Sequence, residues 1–277
     1  MTEALILLSP AASDSATVAA SSEASGLPAT NLQTVQPRKK WRSTGTSAEY
    51  LLVTFAAGVA CDCLALVGHN LGASATVRIR SANSGAAVTA APVYDSGVVS
   101  AWPTSGKPSV TSWSQHTLLK KWSNATALTN WRIDLADSAP VTTYLEVGRL
   151  ALGDCWQPSI GFDVGGTPLG FEAADVQTRS AYGGLFTERR SASPPRTFDL
   201  AIYALSKREA FDGIYEIQRL RGMWGDVICC LDPAETTDLH RFTMQGAFTM
   251  GGAYTLPPVF DSDGNMYGAG IKLREFI

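Results

Sequence analysis

The chain carries little charge and no excess of either sign. Charged residues make up 17% of its 277 residues, and 22 Lys and Arg stand against 25 Asp and Glu, which gives a formal net charge of -3. A protein that wraps nucleic acid needs a basic face, so the composition argues against that class of partner. One short basic cluster is interpreted as a solvated turn or a subunit contact rather than a phosphate site: Arg38, Lys39, Lys40 and Arg42.

Long apolar runs are also missing. No segment approaches the roughly 20 apolar residues that a membrane-spanning helix needs. The apolar run over residues 4–8 has an acidic rather than a basic lead and ends at Ser9 and Pro10, a pattern that does not fit a secretory signal. We therefore expect synthesis in the cytoplasm and no membrane insertion.

Cysteine is too sparse, and too oddly spaced, to form a disulfide framework. The five cysteines leave at least one without an internal partner. The two-residue spacer of a zinc knuckle is absent, and the histidines are remote in sequence. Small buried hydrophobic side chains are the favoured interpretation for all five.

Catalytic motifs fail on inspection. Residues 101–108 resemble a phosphate loop, but Pro108 stands where the metal-binding hydroxyl is required. The segment beginning at Asp261 has calcium-type oxygens, but Lys272 occupies the place of the bidentate Glu. We therefore predict that the chain is not an enzyme and holds no metal or cofactor.

Two further sets of side chains invite a catalytic interpretation. The candidate bases are His69, His116 and His240, but no nucleophile elbow accompanies them. The carboxylates expected near strand ends are Asp134, Glu146 and Asp154. Two carboxylates that cleave a glycoside need to be close in space but not in sequence, so spacing does not test this role. The favoured interpretation is that these three carboxylates are solvated residues at strand edges.

Composition and patterning predict a mainly β protein. The 25 Gly and 14 Pro favour short strands separated by turns. Residues 59–67 are nearly continuously apolar, which is typical of a strand buried on both faces. Residues 76–80 and 142–152 alternate, which indicates strands with one wet face. The first 30 or so residues are expected to form an extended arm or an edge strand.

The second half contains the best helix signal. Ser206 and Glu209 fit a capping box, and Gly222 is placed to end the helix. The apolar residues that recur at three-residue steps are predicted to face the core: Phe211, Ile214, Ile217 and Leu220. We expect two β-sandwich domains, residues 1–152 and 153–277, the second with a single packed α-helix at residues 206–222.

Tryptophan is concentrated in one stretch of the first half: Trp102, Trp113, Trp122 and Trp131. Aromatic faces beside polar groups grip sugar rings, and they also anchor cores and interfaces. A core or subunit interface is favoured, with a carbohydrate groove as the alternative.

Several ordered segments of the first half carry a family resemblance. They are residues 26–32, 41–43, 64–71 and 76–80. Together they resemble a module of tail proteins from bacteriophages and gene transfer agents, which is similar to the discoidin or galactose-binding jelly roll. The resemblance spans roughly residues 20–152 and implies a β-sandwich.

The second half is similar, more loosely, to the ring-forming domain of distal tail proteins, through residues 220–228 and 240–246. This resemblance implies a structural virion protein at the tail tip. It implies a sixfold homo-oligomeric ring that joins the tail tube protein to the hub and receptor-binding proteins, without catalysis. The better-known members place the ring domain first, whereas the order here is reversed. A receptor-binding carbohydrate-recognition module is the alternative.

Overall fold

The computed structural model describes residues 5–108, 116–123, 126–159, 169–172, 176–188, 194–249, 254–255, 260–261, 264–265 and 267–276. The described chain is mainly β, as the sequence predicts. Trp113 and Ile277 lie outside the described residues.

Twelve strands form among the described residues of the first half. They are β1 (Ile6–Leu8), β2 (Thr17–Ala20), β3 (Trp41–Arg42), β4 (Glu49–Ala60), β5 (Cys63–Val67), β6 (Thr76–Ala82), β7 (Tyr94–Asp95), β8 (Val99–Ser100), β9 (Thr117–Lys121), β10 (Ala127–Ala136), β11 (Glu146–Val147) and β12 (Arg149–Gly153).

The second half continues with further strands and the longest helical segment. The strands are β13 (Cys155–Trp156), β14 (Leu169–Phe171), β15 (Val176–Arg179), β16 (Leu185–Glu188), β17 (Arg196–Leu205), β18 (Val227–Cys230), β19 (Thr243–Phe248), β20 (Tyr254–Thr255), β21 (Phe260–Asp261), β22 (Gly264–Asn265) and β23 (Tyr267–Glu275). The helices are α1 (Ala11–Ser15), a 3-10 helix at Ala29–Gln33, α2 (Ala87–Ala90), a π-helix at Glu209–Tyr215 that runs into α3 (Glu216–Arg221), and α4 (Leu239–Phe242). None of the described helices is long and apolar enough to cross a membrane.

A β-sandwich forms the first half. Its larger sheet has the order β2-β4-β10-β6-β7, with β8 also paired to β6, and its smaller sheet has the order β12-β5-β9. Alternate residues of β10 point into the space between the sheets, where Trp131 and Ile133 are fully buried. The two sheets enclose the largest hydrophobic core of the molecule.

One sheet dominates the second half, with the order β13-β1-β18-β19-β23-β17-β14. Its first-half member, β1, is hydrogen-bonded to β13 on one side and to β18 on the other. The N-terminal segment is therefore an interior strand of the second unit rather than an arm, and a boundary at residue 152 separates β1 from the sheet to which it belongs. The edge-strand expectation fits only β2, at the edge of the larger first-half sheet.

The smaller first-half sheet packs on both faces. Leu64 and Leu66 of β5 point into the first-half core. The alternate residues of β5, which are Cys63, Ala65 and Val67, point the other way. They pack against the second-half sheet, where they contact Ile6, Leu8, Ile228 and Cys230. The sheet is thus a shared middle layer. The strand predicted at residues 59–67 and its burial on both faces are confirmed for Cys63–Val67 only, because Val59 and Ala60 are partly exposed and end β4.

The alternation of residues 142–152 predicts a strand with one solvent-facing side, and this prediction is wrong for β12. Every residue of β12 is buried, because one face of this strand contacts the first-half core and Ala151 on the other contacts the second-half sheet. Arg149, a residue that the pattern would place in solvent, has no exposed surface.

The helical segment has the predicted ends. The Ser206 amide donates to Glu209 Oε2 at 2.9 Å, and the Glu209 amide donates to Ser206 Oγ at 3.2 Å, which completes the capping box. Gly222 follows the last turn with φ +52°, a conformation that favours glycine.

The predicted apolar stripe holds for only part of the helix. Ile214 is fully buried, and Phe211 and Ile217 are partly buried against the same core. Leu220 is 45% exposed, so its predicted core role is wrong. Three residues fall short of a full helical turn, so successive three-residue steps drift around the helix and carry Leu220 away from the buried face.

Candidate functional site

A buried ion cluster holds the two halves in register. Arg149 of β12 donates from Nε to Asp226 Oδ2 and from Nη2 to Asp226 Oδ1, both at 2.8 Å. The same guanidinium donates from Nη1 to Asp14 Oδ1 at 2.5 Å and to the Leu32 carbonyl at 3.0 Å. Asp226 precedes β18, so the pair spans the junction between the halves.

Two further side chains complete the ion cluster. Arg221 donates to Asp226 Oδ1 at 2.6 Å and to Asp14 Oδ2 at 3.1 Å. Gln245 donates to Asp226 Oδ2 at 2.6 Å. Burial by itself would raise the pKa of Asp226, but its hydrogen bond and charge interaction with Arg149, together with the charge of Arg221, hold that pKa below its ordinary value. Two cations and two anions therefore neutralise each other.

The tryptophan stretch belongs mostly to the core. Trp131 has no exposed surface, and Trp102 is buried with its indole N–H donated to the Gly72 carbonyl at 2.6 Å. Trp122 is half-buried and stacks on Tyr94, with ring centroids 5.6 Å apart. Neither Trp102 nor Trp131 has a face open to a sugar ring, so the carbohydrate alternative is wrong for these two.

Two histidines that are remote in sequence come together beside Trp102. The His69 and His116 ring centroids lie 6.3 Å apart, and each ring contacts the indole. Burial, with smaller effects from His116, Lys107 and Lys40, lowers the pKa of His69 to about 3. Burial also lowers the pKa of His116. Both rings are therefore neutral at neutral pH and form part of the packed interior.

His240 lies in α4 of the second half and is buried. Burial lowers its pKa, and its charge would in turn lower the pKa of His116. The three candidate bases thus lie at the contact between the halves rather than in an open cleft.

The five cysteines are all buried, and none of them forms a disulfide. Burial raises the pKa of Cys61 to about 12, and it also raises the pKa of Cys229. The pKa of Cys63 is raised by a hydrogen bond with Cys155 and by burial. Over the described ranges, no group of three His, Cys, Asp or Glu side chains is placed to hold a metal ion.

Two of the three candidate carboxylates form ion pairs with cations. Glu146 accepts from Lys40 and Arg42 of the basic cluster, which gives these two cations an internal role. Asp134 accepts from Arg80 at 2.7 Å and from Arg132 at 2.7 Å. Burial raises the pKa of Asp154, with a smaller contribution from Asp62.

A polar groove crosses the outer face of the larger first-half sheet. It encloses about 270 Å³, and its lining includes Arg78, Arg80, Arg132 and Asp134. These side chains project from the neighbouring strands β6 and β10, on the face opposite the core. Among the described residues, Asp95 and Asp134 engage Nε and Nη2 of the Arg78 and Arg80 guanidinium groups, which leaves Nη1 of each for a ligand.

Exposed apolar side chains occur on an edge strand of the second-half sheet and on the hairpin that follows it in the chain. Edge strand β14 exposes Leu169 and Phe171. The hairpin β15–β16 that follows pairs only with itself among the described strands, and all its strand residues are exposed. Phe186 is 66% exposed, and Tyr182 at the turn is fully exposed. Exposed apolar patches of this kind mark interaction sites.

This hairpin was not predicted, although the sequence contains a turn signal for it. The loop at 180–184 separates the two strands and contains Gly183 and Gly184, and Gly183 has φ +83°. A Gly-Gly pair between two short β-type runs is a hairpin signal.

A second apolar surface lies at the end of α3; we term it the helix-end patch, formed by Leu220, Met223 and Trp224. Trp224 is 72% exposed, and Met223 is also largely exposed. The patch precedes β18, which lies four strand positions from β14 in the sheet order. At the usual strand spacing this is roughly 19 Å, so the two apolar surfaces are separate.

The sequence matches no family model, and no curated protein matches it. Similar solved structures include a family 32 CBM from Clostridium perfringens NanJ in complex with galactose, with 15% identity over 53% of this chain and 98% of that chain, at a TM-score of 0.37. A Clostridium perfringens CBM32 structure in complex with GalNAc-beta-1,3-galactose has 12% identity over 51% and 97%, at a TM-score of 0.36. A chitosan-binding module from a Paenibacillus chitosanase/glucanase has 15% identity over 52% and 98%, at a TM-score of 0.37.

The structural neighbours are therefore carbohydrate-binding β-sandwich modules of low identity, each matching about half of the chain. With TM-scores below 0.5, these similarities decide neither ligand nor activity.

Proposed function

We propose that the chain is a structural assembly protein of a bacteriophage-type tail tip. In this role its second half forms a homo-oligomeric ring, and its first-half sandwich is carried by that ring. The observation that carries the proposal is the presence of two separate, unlike apolar surfaces on the second half: the β14 edge with its hairpin, and the helix-end patch.

The geometry favours repeated head-to-tail association. A ring needs two different surfaces on each subunit, because each copy uses one surface for the preceding copy and the other for the next. An isolated two-stranded hairpin is marginally stable in water, and an exposed sheet edge invites pairing with another chain. A neighbouring subunit that packs against β14–β16 would stabilise the hairpin and cover the exposed sheet edge.

Size measurement by light scattering on the purified chain, alone and mixed with candidate tail tube and hub proteins, tests this proposal. We expect a closed oligomer, sixfold if the family resemblance extends to copy number. A chain that stays monomeric at high concentration and binds neither partner would overturn it.

A second candidate function is recognition of a cell-surface saccharide by the first half. The observation that favours it is the groove lined by Arg78, Arg80 and Asp134, since guanidinium N–H donors beside a carboxylate acceptor match the hydroxyl groups of a sugar. This site lies on the sheet face and does not use the buried tryptophans.

Glycan-array binding compared between the wild type and Arg78→Ala tests the second candidate. The matched control is Arg274→Ala, which removes an arginine of the second half that pairs with Glu172. Binding that is lost only in Arg78→Ala supports the groove. Silence of the wild type across a broad array, or equal loss in both variants, contradicts it.

A further inference from the structure

We infer that the helix-end patch of one copy docks on strand β14 of the next copy, with the Trp224 indole seated in an apolar hollow beside that strand. The inference rests on the proposed assembly function and names the two surfaces that would meet. The occupant of the hollow is a second copy of this chain.

The hollow is built from the sheet edge. It encloses about 280 Å³ and is lined by Leu169, Gly170, Phe171 and Phe198, together with the buried Arg196 and the largely exposed Arg241. Phe171 is 63% exposed, whereas Phe198 forms a buried floor. Gly170 contributes only backbone atoms to the lining. The lining therefore suits one large apolar group.

Trp224 is an exposed aromatic side chain whose position is restrained, and this suits it to fill the hollow. Its ring lies 5.8 Å from the guanidinium carbon of Arg221. The Arg221 side chain is itself fixed by Asp14 and Asp226 of the ion cluster. A ring held on a rigid base loses little conformational freedom on binding, and large aromatic side chains are the usual anchors of interfaces.

The rim of the hollow complements an indole electrostatically. The Arg241 side chain is largely exposed and pairs with Asp238 at 3.0 Å. An arginine over a tryptophan face makes a favourable cation–π contact. Leu220 and Met223, which flank Trp224, would meet Leu169 and Phe171 on the rim. The helix-end patch thus supplies an aromatic ring, and the hollow supplies the apolar lining and the cation that such a ring contacts.

The helix-end patch of a chain lies apart from the hollow of the same chain. The helix-end patch precedes β18, and four strand positions separate β18 from β14 within the sheet. The contact must therefore pass from copy to copy in one direction. Such a heterologous contact closes into a ring when the rotation between copies is a fraction of a full turn.

Mixed cross-linking tests the arrangement while keeping the Trp224 side chain in place. Met223→Cys and Leu169→Cys are made as separate full-length variants, mixed, and treated with a short bis-maleimide. Both positions are exposed, whereas the native cysteines are buried and the pKa of Cys61 is about 12, so the new thiols react first. The matched control mixes Met223→Cys with Val141→Cys, an exposed first-half position.

We expect a cross-linked dimer in the first mixture and at least tenfold less in the control mixture. Trp224→Ala should weaken association at least tenfold, whereas Tyr203→Ala, which removes an exposed aromatic ring elsewhere on the second half, should not. An oligomer that persists in Trp224→Ala without cross-links overturns this docking but leaves the assembly function intact. A wild-type chain that is monomeric overturns the assembly function itself.

Discussion

Arg149 and Asp226 form a bidentate ion pair in which neither side chain has any exposed surface. The two residues come from different halves of the chain, 77 positions apart. Burying two charges costs free energy that their mutual attraction offsets only when the remaining donors and acceptors are satisfied. Asp14, Arg221 and Gln245 supply those partners.

Removal of the Asp226 carboxylate should strongly destabilise the protein. Asp226→Ala leaves the Arg149 guanidinium buried with half of its ion pairs, and breaking a buried pair in this way typically costs about 3–5 kcal/mol. The free energy of unfolding is measured by urea denaturation. Asp199→Ala, which breaks a largely exposed pair with Lys272, is the control and should cost a small fraction of that amount. Equal losses in both variants would contradict the role of the cluster.

His69 should make the stability depend on pH. Its pKa is about 3 in the folded chain against an ordinary 6.5. Between these values the unfolded chain binds a proton that the folded chain does not, so stability falls as the pH drops from 6.5 towards 3. The slope is about 1.4 kcal/mol per pH unit for one such group.

Urea denaturation between pH 7 and pH 4 measures this slope in the wild type and in His69→Asn. The variant should show a shallower profile, with the remainder due to other groups, including His116, whose pKa is shifted in the same direction. Parallel profiles for the two proteins would show that His69 is not the group responsible.

The capping box should contribute measurably to stability. Ser206→Ala leaves the Glu209 amide without its side-chain acceptor and should cost about 1 kcal/mol. Lys207→Ala, one position further on and exposed, serves as the control. Thermal unfolding of the two variants checks the difference, and an unchanged melting temperature for Ser206→Ala would be the contrary result.

Two leucine-sized side chains of the same helical segment should behave differently. Ile214→Ala opens a cavity in the second-half core and should cost about 2–5 kcal/mol. Leu220→Ala removes an exposed side chain and should leave the free energy of unfolding nearly unchanged. Chemical denaturation of both variants checks this, and similar losses would mean that Leu220 is buried.

Local chemistry made several elements predictable from the sequence. The capping box of Ser206 and Glu209 and the stop at Gly222 depend on residues a few positions apart, and both are present. The burial of β5 on both faces follows from a continuous apolar run. In each case the signal and its cause lie within one segment.

Long-range pairing was not predictable in the same way. Nothing near Ile6–Leu8 indicates that this strand pairs with β18, more than 200 residues later. Arg149 looks like a solvent-facing residue of an alternating strand, because its partner Asp226 lies far away in sequence. The candidate surfaces were missed for a related reason. Exposure of Trp224 and Phe171 depends on which neighbours cover them, and sequence spacing does not contain that information.

The position of β1 has a mechanical consequence. It is hydrogen-bonded on both sides within the sheet of the second half, while the middle sheet of the first half packs across the same region. A force that separates the halves would have to shear β1 from two neighbours at once and slide two packed sheet faces apart. The two halves should therefore pass tension and torque to each other as one stiff body, without a hinge between them.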